Sequence, residues 1–184
     1  QNQAAAAAAA QRASYVQPAY GSEAPKTTPV SVSLPTPRPS LFPTSGDYSS
    51  FLETAGVPVK GSLSEVKGGD SETYRAYSWK TDSLYGSVEM KAGASFDTTV
   101  SQYLSRAKSR CSGEFAAVPS SITASGAEKS ASYEIACVGS GSSSSASILF
   151  TLKNGVVSTV AHEGRAEAME MAIDARDRIA RSFR

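Results

Sequence analysis

The stretch ASILFTLKNGVVSTVAH, residues 146–162, reads as two strands joined by a tight turn. Ile148, Phe150 and Leu152 fall on one face of the first strand, because side chains alternate along extended backbone. Asn154-Gly155 separates the strands, and this dipeptide accepts the positive φ angles of a type I′ hairpin turn. A lone hairpin is unstable in water, so more strands and a helix must cover it.

The flanking sequence supplies them. Residues 131–138 place Tyr133, Ile135 and Cys137 on one strand face, and residues 114–118 read as another strand. Gly139-Ser140-Gly141 and the serines after it lead into a strand, not into a helix start, so they read as a hairpin loop and not as a phosphate cradle. Residues 73–81 and 84–91 form a second hairpin, preceded by a turn-rich stretch around Gly68-Gly69-Asp70.

Three helices complete the pattern. Asp47 reads as the cap of a short helix to residue 55, with Tyr48, Phe51, Leu52 and Ala55 as its apolar stripe. Ser95 or Asp97 caps a second, to about residue 110, whose stripe is Val100, Tyr103, Leu104, Ala107 and Cys111. The third spans about residues 165–182. Met169, Ala172, Ile173, Ile179 and Phe183 form its buried face, and Glu167, Glu170, Asp174, Arg178 and Arg181 its wet one. The expected fold is α+β: an antiparallel sheet of about five to six strands with helices packed on one face.

Residues 47–184 are thus read as one domain and residues 1–46 as an Ala/Pro-rich extended arm or linker. Seven of the nine prolines lie in the arm, where they remove backbone donors and fix φ. The run from Leu34 to Pro39 favours polyproline II, and at ~3.1 Å per residue the arm could reach about 60 Å from Pro25 to Gly46. Ala4 to Ala10 is an all-alanine run with high helix propensity. Val30, Val32 and Leu34 alternate with serines, the pattern of a strand added to another protein's sheet edge. With Tyr15, Tyr20, Leu41 and Phe42 they are the arm's candidate anchors on partner proteins.

Charge and cysteine usage narrow the class. The net charge is +1, which lacks the basic excess that nucleic-acid binding needs. No apolar run approaches the ~20 residues of a membrane span. Cys111 and Cys137 are the sole cysteines and are expected to form a structural disulfide, which suits an oxidising compartment. A small-residue start led by Gln1 resembles the product of signal-peptide cleavage. Together with the Ala, Ser, Gly and Arg usage, this points to an exported bacterial protein, periplasmic or extracellular.

Catalytic signals are sparse. His162 is the sole histidine, so a zinc site lacks companions and no metal or cofactor is expected. His162-Glu163 reads either as a polarising pair in a pocket or, more commonly for such a pair, as a strand terminus. Ser64-x-x-Lys67 and Ser105-x-x-Lys108 match a penicillin-interacting spacing, but the companion Ser-Asp-Asn and Lys-Thr-Gly motifs are missing. Arg75, Tyr77 and Trp79 share one side of a strand. Facing outward they make a surface aromatic patch, facing inward a core. The sequence therefore reads as a non-catalytic structural or adaptor component of a cell-envelope assembly, docking on other envelope proteins through residues 1–46. The alternative is a periplasmic binding module for a small apolar or glycan ligand. The sequence does not set the oligomeric state.

Overall fold

The computed structural model describes residues 40–125 and 127–183. The alanine run and the candidate anchors Tyr15, Tyr20, Val30, Val32 and Leu34 lie outside the described residues.

The chain order is α1 (Ser45–Thr54), β1 (Lys60–Asp70), β2 (Tyr74–Lys80), β3 (Tyr85–Ala92), α2 (Phe96–Arg110), β4 (Glu114–Ser125), β5 (Glu128–Val138), β6 (Ser143–Lys153) and β7 (Val156–Arg165). A 3-10 turn, Ala166–Ala168, leads into α3 (Met169–Ser182). The strands make one antiparallel sheet of seven among the described residues, in the order β1-β2-β3-β7-β6-β5-β4. The α+β class stands, with more strands than the expected five to six. The addition is β1, whose sequence KGSLSEVKGGD is polar and glycine-rich and carries no strand signal of its own. Pairing with β2 makes it a strand. The β6–β7 turn is as expected: Asn154 has φ 51° and Gly155 has φ 74°.

The expectation that all helices share one face is corrected. On β6, Leu149 packs with Val160 and with Ile179 of α3, while its neighbours Ile148 and Phe150 pack with Phe96 and Val100 of α2. Adjacent residues on a strand point to opposite faces, so α1 and α3 cover one face and α2 the other. Both faces of the central strands are therefore buried. Ser145 through Phe150 are all buried, although half-exposed antiparallel strands alternate.

The helix caps follow local chemistry. Helix α1 is capped by Thr44, not by Asp47. The Thr44 side chain accepts from the Asp47 backbone N–H, and the Asp47 carboxylate accepts from the Thr44 backbone N–H at 3.0 Å. This is a capping box, with Asp47 at its third helical position. Ser95 caps α2 by accepting from the Thr98 N–H.

The disulfide joins Cys111, at the end of α2, to Cys137 on β5, with Cα atoms 5.7 Å apart. It closes a sequence separation of 26 residues and stabilises by about 3–4 kcal/mol in the chain-entropy account.

Candidate functional site

Three sequence candidates prove to be structural. Tyr77 and Trp79 are 0% and 2% exposed, so Arg75, Tyr77 and Trp79 do not form a surface aromatic patch. Their strand face is the one covered by α1 and α3, and only Arg75 is left half-buried. Phe42 is the third. Assigned as an arm anchor for partners, it is 5% exposed and belongs to the core beneath α1. Next to it Leu41 remains 68% exposed. The Pro43 carbonyl accepts a hydrogen bond from the Tyr77 hydroxyl at 2.8 Å. The root of the arm is therefore clamped to β2, and the folded unit begins several residues before the expected boundary at residue 46.

His162 is wholly buried. Burial disfavours the charged imidazolium and lowers its pKa to about 4. Its ring meets Trp79 edge-on, with centroids 5.5 Å apart. Strand alternation separates the His162-Glu163 pair. His162 points into the core below α3, while Glu163 lies on the opposite face and accepts from the Tyr103 hydroxyl at 3.3 Å. His162 thus has no access to a solvent-borne substrate, and the two side chains do not act together. The Ser-x-x-Lys stretches fall on β1 and α2, where Ser64, Lys67, Ser105 and Lys108 are all exposed.

The register lines up one transverse row across the sheet. Trp79 opposes Gly86, Gly86 opposes His162, His162 opposes Ser147, and Ser147 opposes Glu134. Arg176 of α3 descends on the end of this row. It is 6% exposed, and its guanidinium donates to Ser120 at 2.8 Å and lies 3.5 Å from Glu134, with Asp177 as a second carboxylate partner. A buried guanidinium demands such partners. Sequence reading missed Arg176, although it shares the helical face of Ala172 and Ile179.

The other face carries an open cleft of about 220 Å³ between the end of α2 and strands β5 and β6. Tyr103, Arg110, Phe115, Ala146, Glu163 and the disulfide line it. Tyr103 stacks edge-on against Phe150 at 5.5 Å. Burial and the Glu163 carboxylate push its hydroxyl pKa well above the usual tyrosine value, so it stays a neutral donor. The cleft offers one aromatic wall, one cation and one anion. Among the described residues there is no cluster of three metal-ligating side chains, and no helix is long and apolar enough to cross a membrane.

No family model matches the sequence, and no curated protein matches it. Solved structures give distant likenesses. PA94 of Pseudomonas aeruginosa, a protein of unknown function, is 9% identical over 65% of this chain and 94% of its own, with a TM-score of 0.41. LpqN of Mycobacterium tuberculosis, involved in cell envelope biogenesis, is 13% identical over 66% of this chain and 77% of its own, with a TM-score of 0.38.

Proposed function

We propose that this protein is a non-catalytic structural or adaptor component of a bacterial cell-envelope assembly, whose proline-rich arm docks on partner proteins while the folded domain holds its position. The observation that carries this reading is the clamped root. Phe42 is buried in the core and Pro43 is hydrogen-bonded to Tyr77, so the arm departs from a fixed point. A root fixed in this way gives a partner held by the arm a defined point of attachment on the folded domain. The disulfide supports an oxidising compartment outside the cytoplasm. The test is co-purification from the native cell with the full chain and with a chain beginning at Ser40. Loss of a discrete set of envelope partners on truncation supports the reading. Identical partners from both chains would remove it.

The cleft beside the disulfide favours a second reading, a binding module for a small apolar or glycan ligand. Tyr103 supplies the aromatic wall on which a sugar ring stacks. A saccharide or lipid that raises the melting temperature of the full chain, but not of Tyr103→Ala, supports it. Equal shifts in both proteins would exclude this cleft.

A further inference from the structure

We infer that the cleft beside the disulfide is one end of a longer groove that takes an acidic glycan chain, a run of sugar rings bearing carboxylates. This deepens the reading of the protein as a binding module and rests on it.

A second cleft, of about 470 Å³, opens at the same end of the sheet, between the β2–β3 turn and the 3-10 turn. Lys80, Tyr85, Arg165 and Met171 line it. The strand register joins the two clefts. Lys80 opposes Tyr85, and Tyr85 opposes Glu163 of the first cleft. In the next row Arg165 opposes Ser144, and Ser144 opposes Cys137 of the disulfide. Opposed residues on neighbouring strands share a face, with Cβ atoms about 5 Å apart, so the two linings abut. From Lys80 to Cys137 the groove crosses five strands, β2-β3-β7-β6-β5. At ~4.8 Å between strands that is about 19 Å, which suits a chain better than a single sugar ring.

Positive charge along the groove is left uncommitted. Lys80, Arg110 and Arg165 are exposed, and among the described residues none of the three side chains makes an ion pair or a hydrogen bond. The carboxylates are mostly engaged. Asp82 is paired with Lys60, and Glu163 accepts from the Tyr103 hydroxyl, which leaves Glu167. An anionic occupant complements this pattern.

The direction of the groove selects a glycan over a peptide. It runs across the strands, so a peptide lying in it would find no sheet edge for its backbone N–H and C=O groups. Sugar rings need no such edge. Their apolar faces pack on an aromatic side chain, and Tyr85 is 46% exposed in the second cleft. Their carboxylates match the planar fork of Arg165 or Arg110.

The test is isothermal titration calorimetry of the full chain with tetragalacturonate, with the neutral maltotetraose, and with tetraglutamate as an acidic peptide. Tetragalacturonate is expected to bind at least about tenfold more tightly than either, and more weakly as salt is raised. Lys80→Gln/Arg165→Gln alters two exposed positions, neither of which lines the disulfide cleft. It is expected to remove most of that preference while keeping the melting temperature of the parent. Equal binding of tetragalacturonate and maltotetraose overturns the inference, and so does a double variant that keeps the preference. In either case a loss of binding in Tyr103→Ala would still uphold the disulfide cleft as a saccharide site. Tetraglutamate binding as tightly as tetragalacturonate overturns the choice of a glycan. Binding of neither saccharide removes both the inference and the reading beneath it.

Discussion

The indole of Trp79 lies over the bare Cα of Gly86 and reaches the imidazole of His162 on the next strand, with ring centroids 5.5 Å apart. The contact spans three strands and requires that the middle one carry no side chain. A Cβ at Gly86 would fall inside the indole ring system. Gly86→Ala is therefore expected to destabilise by about 1–3 kcal/mol, the usual cost of overpacking a core. Chemical denaturation of parent and variant measures it. A cost near zero would mean that Trp79 can leave its place freely.

His162 gives the fold an acid sensitivity whose sign is fixed by its burial. Its folded pKa, about 4, lies below the ordinary 6.5. The unfolded chain therefore binds the proton more readily between these values. The contribution is fully present above pH 6.5 and is lost as pH falls toward 4, up to roughly 3 kcal/mol. Denaturation midpoints of the parent and of His162→Leu across this range isolate it, since other titrating groups act on both. Parallel pH profiles would count against a buried neutral imidazole.

The disulfide is expected to contribute about 3–4 kcal/mol by restricting the unfolded chain. Cys111→Ala/Cys137→Ala removes it without leaving a lone thiol. Its melting temperature should fall markedly, and that of the parent should fall similarly on full reduction. A double variant as stable as the parent would show that the end of α2 needs no covalent tie.

The arm's root makes two truncations behave differently. Removing residues 1–39 should leave the melting temperature close to that of the full chain. Removing residues 1–46 deletes buried Phe42, the Pro43–Tyr77 bond and the Thr44 cap, and should lower it. Phe42→Ala alone is expected to cost about 3–5 kcal/mol. Thermal melts of the three chains decide the point, and equal values would deny Phe42 its place in the core.

Arg176 is buried with a hydroxyl and two carboxylates as partners. Arg176→Ala removes the donor to Ser120 and the counter-charge beside the part-exposed Glu134, and should destabilise by about 1–3 kcal/mol. Arg176→Met, which keeps the volume, should retain more stability and still show faster hydrogen exchange in β4. Unchanged exchange there would separate Arg176 from the rigidity of that edge.

The residues that were legible and those that were not differ in a physical way. Helices α2 and α3 announced themselves through stripes such as Val100, Tyr103 and Leu104, and the Asn154-Gly155 turn through its backbone chemistry. These signals are local. Strand β1 has none, because its strand character comes from β2 alone. The Thr44-x-x-Asp47 box was legible as a helix start, yet Asp47 was read as the cap in place of Thr44. Trp79 was ambiguous because Arg75 shares its face, and only the position of α1 and α3 shows that this face is covered. The role of Arg176 depends on Ser120 and Glu134, which are remote in sequence, and no periodicity could join them. Phe42 was misread because the prolines on either side of it mark a linker, while its burial is decided by β2.

The strand order carries a consequence for how the molecule is made. Strand β7 sits between β3 and β6, so Tyr85 waits for Glu163 before the two flanks of the sheet can join. A chain emerging from a ribosome or a translocation channel, N-terminus first, presents β1–β3 and β4–β6 as two unfinished halves. Each half has an inner edge that is bare until the last fifth of the sequence appears. Such late, distant pairing slows folding and leaves edges open to wrong partners. The two flanks of the sheet therefore cannot be joined until the final strand is available to pair with both β3 and β6. Until then the bare edges of β3 and β6 are the places where wrong pairing with another chain would begin.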